Sequence, residues 1–243
     1  AENNLGLSAA KTIIFPKSTI VLGWVWEDGT YSASSHRTSA LAAVSPPSTV
    51  RGMRSFIGAY KFMSRVIKGY SNNLHPLEHA IAGKQSQDKM EWADDLLLMF
   101  RKVQESLNDC QVICIAKPDD RLWIVTDGAK VTGGIAATLY LLRDGKRLLG
   151  GFFNAQLRKG QVLWLPCEVE ALAIGSVVTH FAPILIQSKH HANVLTDNRP
   201  CVDAYKRMRR GLFSNSSRVL TFLTAVARYQ VQVSHIAGEK IPF

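Results

Sequence analysis

Two short apolar runs of the sequence end in an aspartate, and this pair is the first feature able to do chemistry. Residues 123–127 end in Asp127, and residues 194–197 end in Asp197. A carboxylate at the edge of an apolar core must be hydrated, paired or bound to a cation. One such aspartate is most often a turn residue or a helix cap. Two of them, on strands that a mixed sheet places side by side, are better explained by a shared cation.

A third acid comes from the segment between the two runs. Glu168 and Glu170 lie two residues apart in a helix predicted over residues 167–181, so they point to nearly opposite sides. Glu170 shares its face with the more apolar side chains Ile174, Val177, Val178 and Phe181. We therefore expect Glu170 to face the two aspartates, and Glu168 to be a solvated residue of the first turn that compensates the helix dipole.

The chemistry expected of such a cluster is metal-assisted phosphoryl displacement. Neighbouring carboxylates repel one another unless divalent cations lie among them. A ligand set made only of oxygen suits Mg²⁺ or Mn²⁺ rather than zinc. Two such ions activate a water and stabilise the leaving oxygen of an in-line displacement. The sequence thus predicts that Asp127, Glu170 and Asp197 are catalytic and metal-binding residues for two ions.

The charge of the chain indicates a polyanionic partner. The net charge is +10, and residues 116–243 carry 17 Lys and Arg against 9 Asp and Glu, whereas residues 1–115 carry 12 against 10. Two groups of basic residues are candidates for phosphate contacts: Arg54, Lys61 and Arg65, in a stripe that continues to Lys68, and Lys206, Arg207, Arg209 and Arg210. A solvated helix face explains either group almost as well, and a basic surface kept for solubility explains the charge.

The elements that position these residues follow from apolar spacing and turn signals. In the first half we expect strands over residues 12–15 and 19–26, a connector over 32–48, and helices over 49–67 and 88–107. In the second half we expect strands over 112–115, 122–126, 135–142, 147–154, 194–196 and 230–236, and helices over 167–181, 200–209 and 217–229. This order predicts an α/β fold in which helices cover a mixed sheet.

Several of these segments resemble one family in residue type and in order. Residues 124–129, 134–137, 168–174 and 195–197 resemble the RNase H domain of the reverse transcriptases of LTR retrotransposons, with the spacing of gypsy-like elements. Residues 22–25 and 28–29 resemble the end of the polymerase palm near the primer grip. Residues 53–60, 65–67 and 75–77 resemble the thumb of the same enzymes.

The resemblance implies a fold, an activity and partners. The fold is an RNase H-like mixed five-stranded sheet with helices over residues 112–243. It is preceded by a short palm-end β segment with its connector over 1–45 and a mostly helical thumb or connection over 46–111. The activity is Mg²⁺-dependent (or Mn²⁺-dependent) hydrolysis of the RNA strand of an RNA–DNA hybrid. Asp127, Glu170 and Asp197 match three of the family's four acids, and the remaining partner is the rest of the reverse transcriptase polyprotein.

Two departures from the family pattern support an alternative. The paired Asp-Asp after a Tyr is absent, since Asp94-Asp95 lies in an amphipathic helix, so we expect no DNA polymerisation by this chain alone. The fourth acid of the family follows the segment resembling residues 235–240 by a few positions, and the chain ends at Phe243, so we expect a C-terminal truncation. Neither Glu239 nor Asp203 falls in the matching place. The alternatives are a non-catalytic nucleic-acid-binding remnant of a retroelement polyprotein and a purely structural connector.

The remaining expectations concern the surroundings of the chain. No stretch approaches the ~18 apolar residues of a membrane span, and residues 1–4 carry no secretory signal. We therefore expect an intracellular protein, in the cytoplasm or a virus-like particle, with no membrane partner. The four cysteines have no zinc-site spacing and are expected to be reduced thiols.

Overall fold

Two β-sheets organise the chain in the computed structural model, which describes residues 6, 8–129, 133–212 and 216–238. The first sheet contains β1 (Ser18–Val21), β2 (Trp24–Glu27), β3 (Thr30–Ala33) and β4 (Ile113–Cys114), which pair in that order and are all antiparallel. The second sheet contains β5 (Arg121–Ala129), β6 (Gly134–Arg143), β7 (Lys146–Gln156), β8 (Ala192–Thr196) and β9 (Val231–His235).

The helices fall into two groups. Four belong with the first sheet: α1 (Ser35–Ala42), α2 (Val50–Phe62), α3 (Tyr70–Ala80) and α4 (Asp94–Glu105). Four belong with the second: α5 (Pro166–His180), α6 (Ala182–Gln187), α7 (Arg199–Arg209) and α8 (Ser217–Val226). We call these two groups, each with its sheet, the helical unit and the sheet unit. In the part of the chain that the structure describes, no helix has both the length and the apolar character needed to cross a membrane.

The second sheet confirms the predicted mixed five-stranded sheet. Its strand order is β7-β6-β5-β8-β9, with β8 parallel to both β5 and β9 and the remaining pairs antiparallel. The turn between β6 and β7 lies at Asp144 and Gly145, whose φ angles of 51° and 74° are those of a tight hairpin turn. One face of the sheet packs against α5, where Ile124 and Leu139 meet Ile174 and Val178 in a shared core.

The opposite face of this sheet carries a shallow groove of about 320 Å³, and we call it the open face. Because side chains alternate along a strand, the residues between the core positions point to this side. Its lining includes Trp123, Val125, Tyr140, Leu142 and Leu195. The open face matters because the side chains of both aspartates predicted to be catalytic point to this side of the sheet.

The first sheet and α1 differ from the prediction for identifiable reasons. Residues 12–15 form no strand, and the strand predicted over 19–26 is a hairpin that turns at Leu22 and Gly23, with φ angles of 52° and 82°. Arg37 of α1 holds this turn, since its guanidinium donates to the Leu22 carbonyl at 2.6 Å and stacks on the Phe62 ring at 4.0 Å. The predicted connector therefore contains a helix that packs on the turn.

The helix predicted over residues 49–67 begins as expected and ends early. Thr49 caps it through a hydrogen bond from the Gly52 N–H, but α2 ends at Phe62. Single turns follow, and the left-handed Gly69 (φ 66°) precedes α3. The predicted elements do not include α3. Pro76 disfavours a helix interior, yet buried Leu74 and Leu77 hold α3 in place.

The hydrophobic core of the helical unit includes a residue of the sheet unit, so the two units share packing at this point. Phe152, from the centre of β7, is buried in the cluster formed by Phe56, Phe100 and other residues of the helical unit. Strand β4 joins the sheet of the helical unit although it lies only a few residues before β5. Two hydrogen bonds cross the same contact: Gln156 Nε2 donates to Asn72 Oδ1 at 2.7 Å, and Tyr70 Oη donates to the Asn154 carbonyl at 3.3 Å.

The substitution Phe152→Ala tests this shared core. We expect it to lower the free energy of unfolding by about 3 kcal/mol, because a buried aromatic ring is lost and a cavity remains. The measurement is denaturant-induced unfolding followed by circular dichroism. Leu163→Ala is the control, since Leu163 is 84% exposed and its truncation should change stability by less than about 0.5 kcal/mol. Equal effects of the two substitutions would contradict the shared core.

Candidate functional site

Asp127 and Asp197 lie side by side at one end of the second sheet. Strands β5 and β8 are parallel, and Val125 pairs with Leu195, so each aspartate lies two residues beyond that pair. Asp127 is half-buried and Asp197 is exposed. Strand alternation puts both carboxylates on the side of the open face, as for Val125 and Leu195. The predicted pairing of the two strand ends is therefore present in the structure.

Glu170 approaches the same edge from the helix side of the sheet. It is only 3% exposed, and its two carboxylate oxygens accept three hydrogen bonds. Oε1 lies 2.6 Å from Thr196 Oγ1 and 3.1 Å from Thr126 Oγ1, and Oε2 accepts from the Gly128 N–H at 2.9 Å. The two threonines directly precede the two aspartates, so one carboxylate of α5 is tied to both strand ends. The helix face predicted from periodicity is the face observed.

Gly128 permits this close approach. A Cβ atom at this position would lie 2.6 Å from Glu170 Oε2, which is closer than packed atoms come, and 3.3 Å from the Glu170 backbone, which is a tight contact. Thr126, Thr196 and Gly128 were not predicted as site residues. The repeated Thr-Asp dipeptide was the available signal: in a strand it places the hydroxyl on one face and the carboxylate on the other.

The three carboxylates influence one another electrostatically. Burial raises the pKa of Glu170, the hydroxyls of Thr196 and Thr126 oppose that rise, and the charges of Asp197 and Asp127 add to it. Burial also raises the pKa of Asp127, and the neighbouring charge of Asp197 raises it further. The site is thus a concentration of negative charge that the surrounding protein leaves only partly balanced.

The donor chemistry fits a divalent cation, although the present arrangement is not a closed ligand set. All candidate ligand atoms are carboxylate oxygens, which Mg²⁺ and Mn²⁺ prefer. Oε2 of Glu170 has one donor among the described residues and retains a second lone pair. Among these residues no three His, Cys, Asp or Glu side chains stand ready to hold one ion. Coordination by all three acids therefore requires a side chain to turn.

Among the described residues, the other acidic residues considered in the sequence analysis do not join the cluster of Asp127, Glu170 and Asp197. Asp203 is exposed on α7, and Glu239 falls outside the described residues. Glu168 lies in the first turn of α5 as predicted, but the expectation that it is solvated is wrong: it is 7% exposed. It accepts from the Leu165 N–H and pairs with Arg218 at 3.2 Å, because the N-terminus of α8 packs over it.

The basic residues of the helical unit do not form one continuous stripe. The Arg54 guanidinium donates to Ser86 Oγ and the Lys84 carbonyl, and Lys61 pairs with Glu78. Because α2 ends at Phe62, Arg65 turns toward a pocket beside β3 and α6. Phosphate contacts by these residues stay a prediction.

The basic residues of the sheet unit do lie together. Lys206, Arg207, Arg209 and Arg210 occupy the last turn and the end of α7. Three of them, Lys206, Arg207 and Arg210, line a groove of about 720 Å³ between α7 and the N-terminus of α8. This position gives the sheet unit a cationic groove at the C-terminal end of α7, whose N-terminal residue Arg199 lies two positions after Asp197.

Comparisons with known proteins agree with this fold. No family model matches the chain. The enzymatic polyprotein of Figwort mosaic virus (strain DxS) is 21% identical over 238 residues, which are 96% of this chain and 34% of that protein. The chain therefore spans about a third of the length of this curated relative.

Solved structures show the same architecture. The foamy viral protease-reverse transcriptase in complex with RNA/DNA hybrid matches with a TM-score of 0.76 and 11% identity, over 94% of this chain and 30% of that one. Its complex with dsDNA matches with a TM-score of 0.77 and 11% identity, over 94% and 47%. At 11% identity the structural similarity establishes the fold alone, and it extends over both the helical unit and the sheet unit.

Gly128→Ala tests the contact between the strand end and Glu170. The added methyl group collides with the buried carboxylate, so we expect unfolding to become easier by about 1–3 kcal/mol. Thermal unfolding measures the change. Gly160→Ala is the matched control, because a Cβ there meets nothing within 4 Å. Equal melting temperatures of the two variants would contradict the close contact between Gly128 and Glu170.

The raised pKa values predict how stability depends on pH. The folded protein holds protons at Glu170 and Asp127 more tightly than the unfolded chain, so their contribution is largest in acid. It is lost as the pH rises from the ordinary carboxyl pKa of about 4 through the raised values. Without divalent ions, Asp127→Asn should therefore gain in Tm relative to the parent chain as the pH rises above about 4. A difference that stayed constant as the pH rose would contradict the electrostatic coupling.

Proposed function

We propose that this chain is the thumb and RNase H segment of a retroelement reverse transcriptase, and that it hydrolyses the RNA strand of RNA–DNA hybrids. One observation carries the proposal: Asp127, Glu170 and Asp197 meet at the ends of two parallel strands, where Asp127 and Glu170 have raised pKa values. Clustered, perturbed carboxylates at an accessible edge are typical of catalytic sites. The viral polyprotein and the hybrid-bound reverse transcriptase among the similar proteins favour the same substrate class.

Asp127, Asp197 and Glu170 would hold the divalent cations, Mg²⁺ or Mn²⁺. Bound there, two such ions would supply Lewis acidity toward an attacking water and toward the leaving oxygen of the phosphodiester. The fit rests on the oxygen-only donor set and on repulsion that a cation relieves.

The protein's own groups prepare this site. Thr126, Thr196 and Gly128 fix the orientation of Glu170 before any substrate binds, so the carboxylate loses little freedom on reaction. Asp127 and Asp197 present their oxygens on the open face, at the ends of β5 and β8, within reach of a nucleic-acid backbone. The cationic groove beside α7 would bind phosphates of the same duplex.

Further parts of the proposal follow from the family resemblance. The parent would be an LTR element of the gypsy-like type, expressed as a polyprotein and acting inside the cell. The hybrid would be recognised by its A-like shape, its phosphates and its 2′-hydroxyls rather than by base edges.

A second candidate function is nucleic-acid binding without cleavage. It is favoured by Glu170, whose oxygens are already engaged by protein donors, and by the absence of a ready three-ligand set among the described residues. In that case the basic groove would retain affinity for nucleic acid although no metal-dependent cut occurs.

The deciding experiment compares cleavage by the parent chain and by Asp127→Asn. Each is incubated with an RNA–DNA hybrid labelled on the RNA strand, with Mg²⁺ or Mn²⁺, and products are resolved by gel electrophoresis. We expect the substitution to lower the cleavage rate about a hundredfold or more, because it removes a ligand and a charge from the metal site.

Asp119→Asn is the matched control for this experiment. The Asp119 side chain is 74% exposed and pairs with Lys189 at the surface, so its loss should leave cleavage unchanged. Cleavage that is equal in all three proteins would exclude the assignment of Asp127. Binding of the hybrid without any cleavage by the parent chain would select the second candidate.

A further inference from the structure

A cleft of about 270 Å³ lies between the helical unit and the sheet unit, and Asp127 lines it. One wall belongs to the helical unit and carries Lys68, Gly69 and Asn72. The floor comes from β6 and β7 and includes Thr138 and Asn154. The cleft therefore begins where the candidate catalytic edge meets the helical unit.

The walls of this cleft are held at a fixed separation. Asn72 accepts a hydrogen bond from Gln156 of β7, and Tyr70 donates to the Asn154 backbone. Phe152 lines the cleft and is buried in the shared core beneath it. These contacts make the cleft a preformed feature of the interface between units and not a gap that closes when the units move.

Lys68 differs from Arg54 and Lys61, two other members of the predicted basic stripe. Arg54 is bonded to a loop and Lys61 is paired with Glu78, whereas Lys68 is exposed and forms no ion pair with any residue that the structure describes. An uncommitted ammonium opposite a cluster of carboxylates attracts a phosphate to a place where the local field otherwise repels it.

We propose that this cleft holds one sugar-phosphate unit of the nucleic-acid strand beside the cleavage site, with Lys68 as the phosphate contact. The inference rests on the proposed function, which places a nucleic-acid backbone at Asp127. Its size suits a single backbone unit, since a volume of about 270 Å³ is smaller than the usual pocket of a drug-sized ligand. Thr138 and Asn154 on the floor offer polar groups for the sugar or the phosphate.

The test is the affinity of the 243-residue chain for a fluorescently labelled RNA–DNA hybrid, measured by anisotropy in EDTA at several salt concentrations. Lys68→Ala removes one phosphate contact. It should weaken binding about five- to tenfold near 0.1 M salt and reduce the slope of log K against log salt by about 0.9. Lys68→Arg should retain both, because it keeps the charge in the same place.

Lys102→Ala is the matched control, because Lys102 is also exposed on the helical unit but lines neither this cleft nor the grooves beside it. Binding by Lys68→Ala that superimposes on that of the parent chain and of Lys102→Ala would overturn the proposal. Because these titrations contain no divalent ion, they report independently of cleavage. If the parent chain cleaves the hybrid but Lys68→Ala binds as tightly as the parent, only the proposal for the cleft is refuted. If binding depends on Lys68 but no cleavage occurs, only the proposed nuclease activity is refuted.

Discussion

The buried carboxylate of Glu170 is the interaction on which the site depends. A charge that is 3% exposed is stable only when its oxygens are hydrogen-bonded, and here the donors come from both strands that carry the aspartates. Glu170 consequently joins α5, β5 and β8 at one point. A helix that slid along the sheet by one turn would leave this charge without partners, so the same bonds that orient the acid also set the register of the helix on the sheet.

Strand alternation explains how one short segment serves two purposes. In Thr126-Asp127 and Thr196-Asp197 the hydroxyl faces the helix and satisfies Glu170, while the carboxylate faces the open side. Gly128 completes the arrangement by allowing helix and strand to approach closely. Three acids from separate parts of the sequence thus converge without any of them lying fully inside the core as an unsatisfied charge.

Much of this was predictable, and the failures have physical causes. The helix face that carries Glu170 was predicted from apolar periodicity, which reports burial directly. The two aspartate-bearing strands were expected to lie side by side, and the structure shows in addition that they are parallel. Helix α3 was not among the predicted elements. Its Pro76 disfavours a helix interior, and the tertiary burial of Leu74 and Leu77 outweighs that preference. The basic stripe was expected to continue to Lys68, yet it breaks after α2, since the end of a helix depends on packing that spacing alone does not report. The threonines escaped notice because hydroxyls are common in strands.

The burial of Phe152 among the side chains of the helical unit limits where the chain tolerates insertions. A boundary drawn in the segment between β4 and β5 falls within shared packing, because β4 pairs with the first sheet and Phe152 of the second sheet is buried in the helical unit. Insertions there would separate surfaces that stabilise each other, whereas insertions at exposed loop tips would not. The placement of Lys68 opposite Asp127 depends on this packing, so a chain that combined the two units from different parents would have to repack the Phe152 contact to restore it.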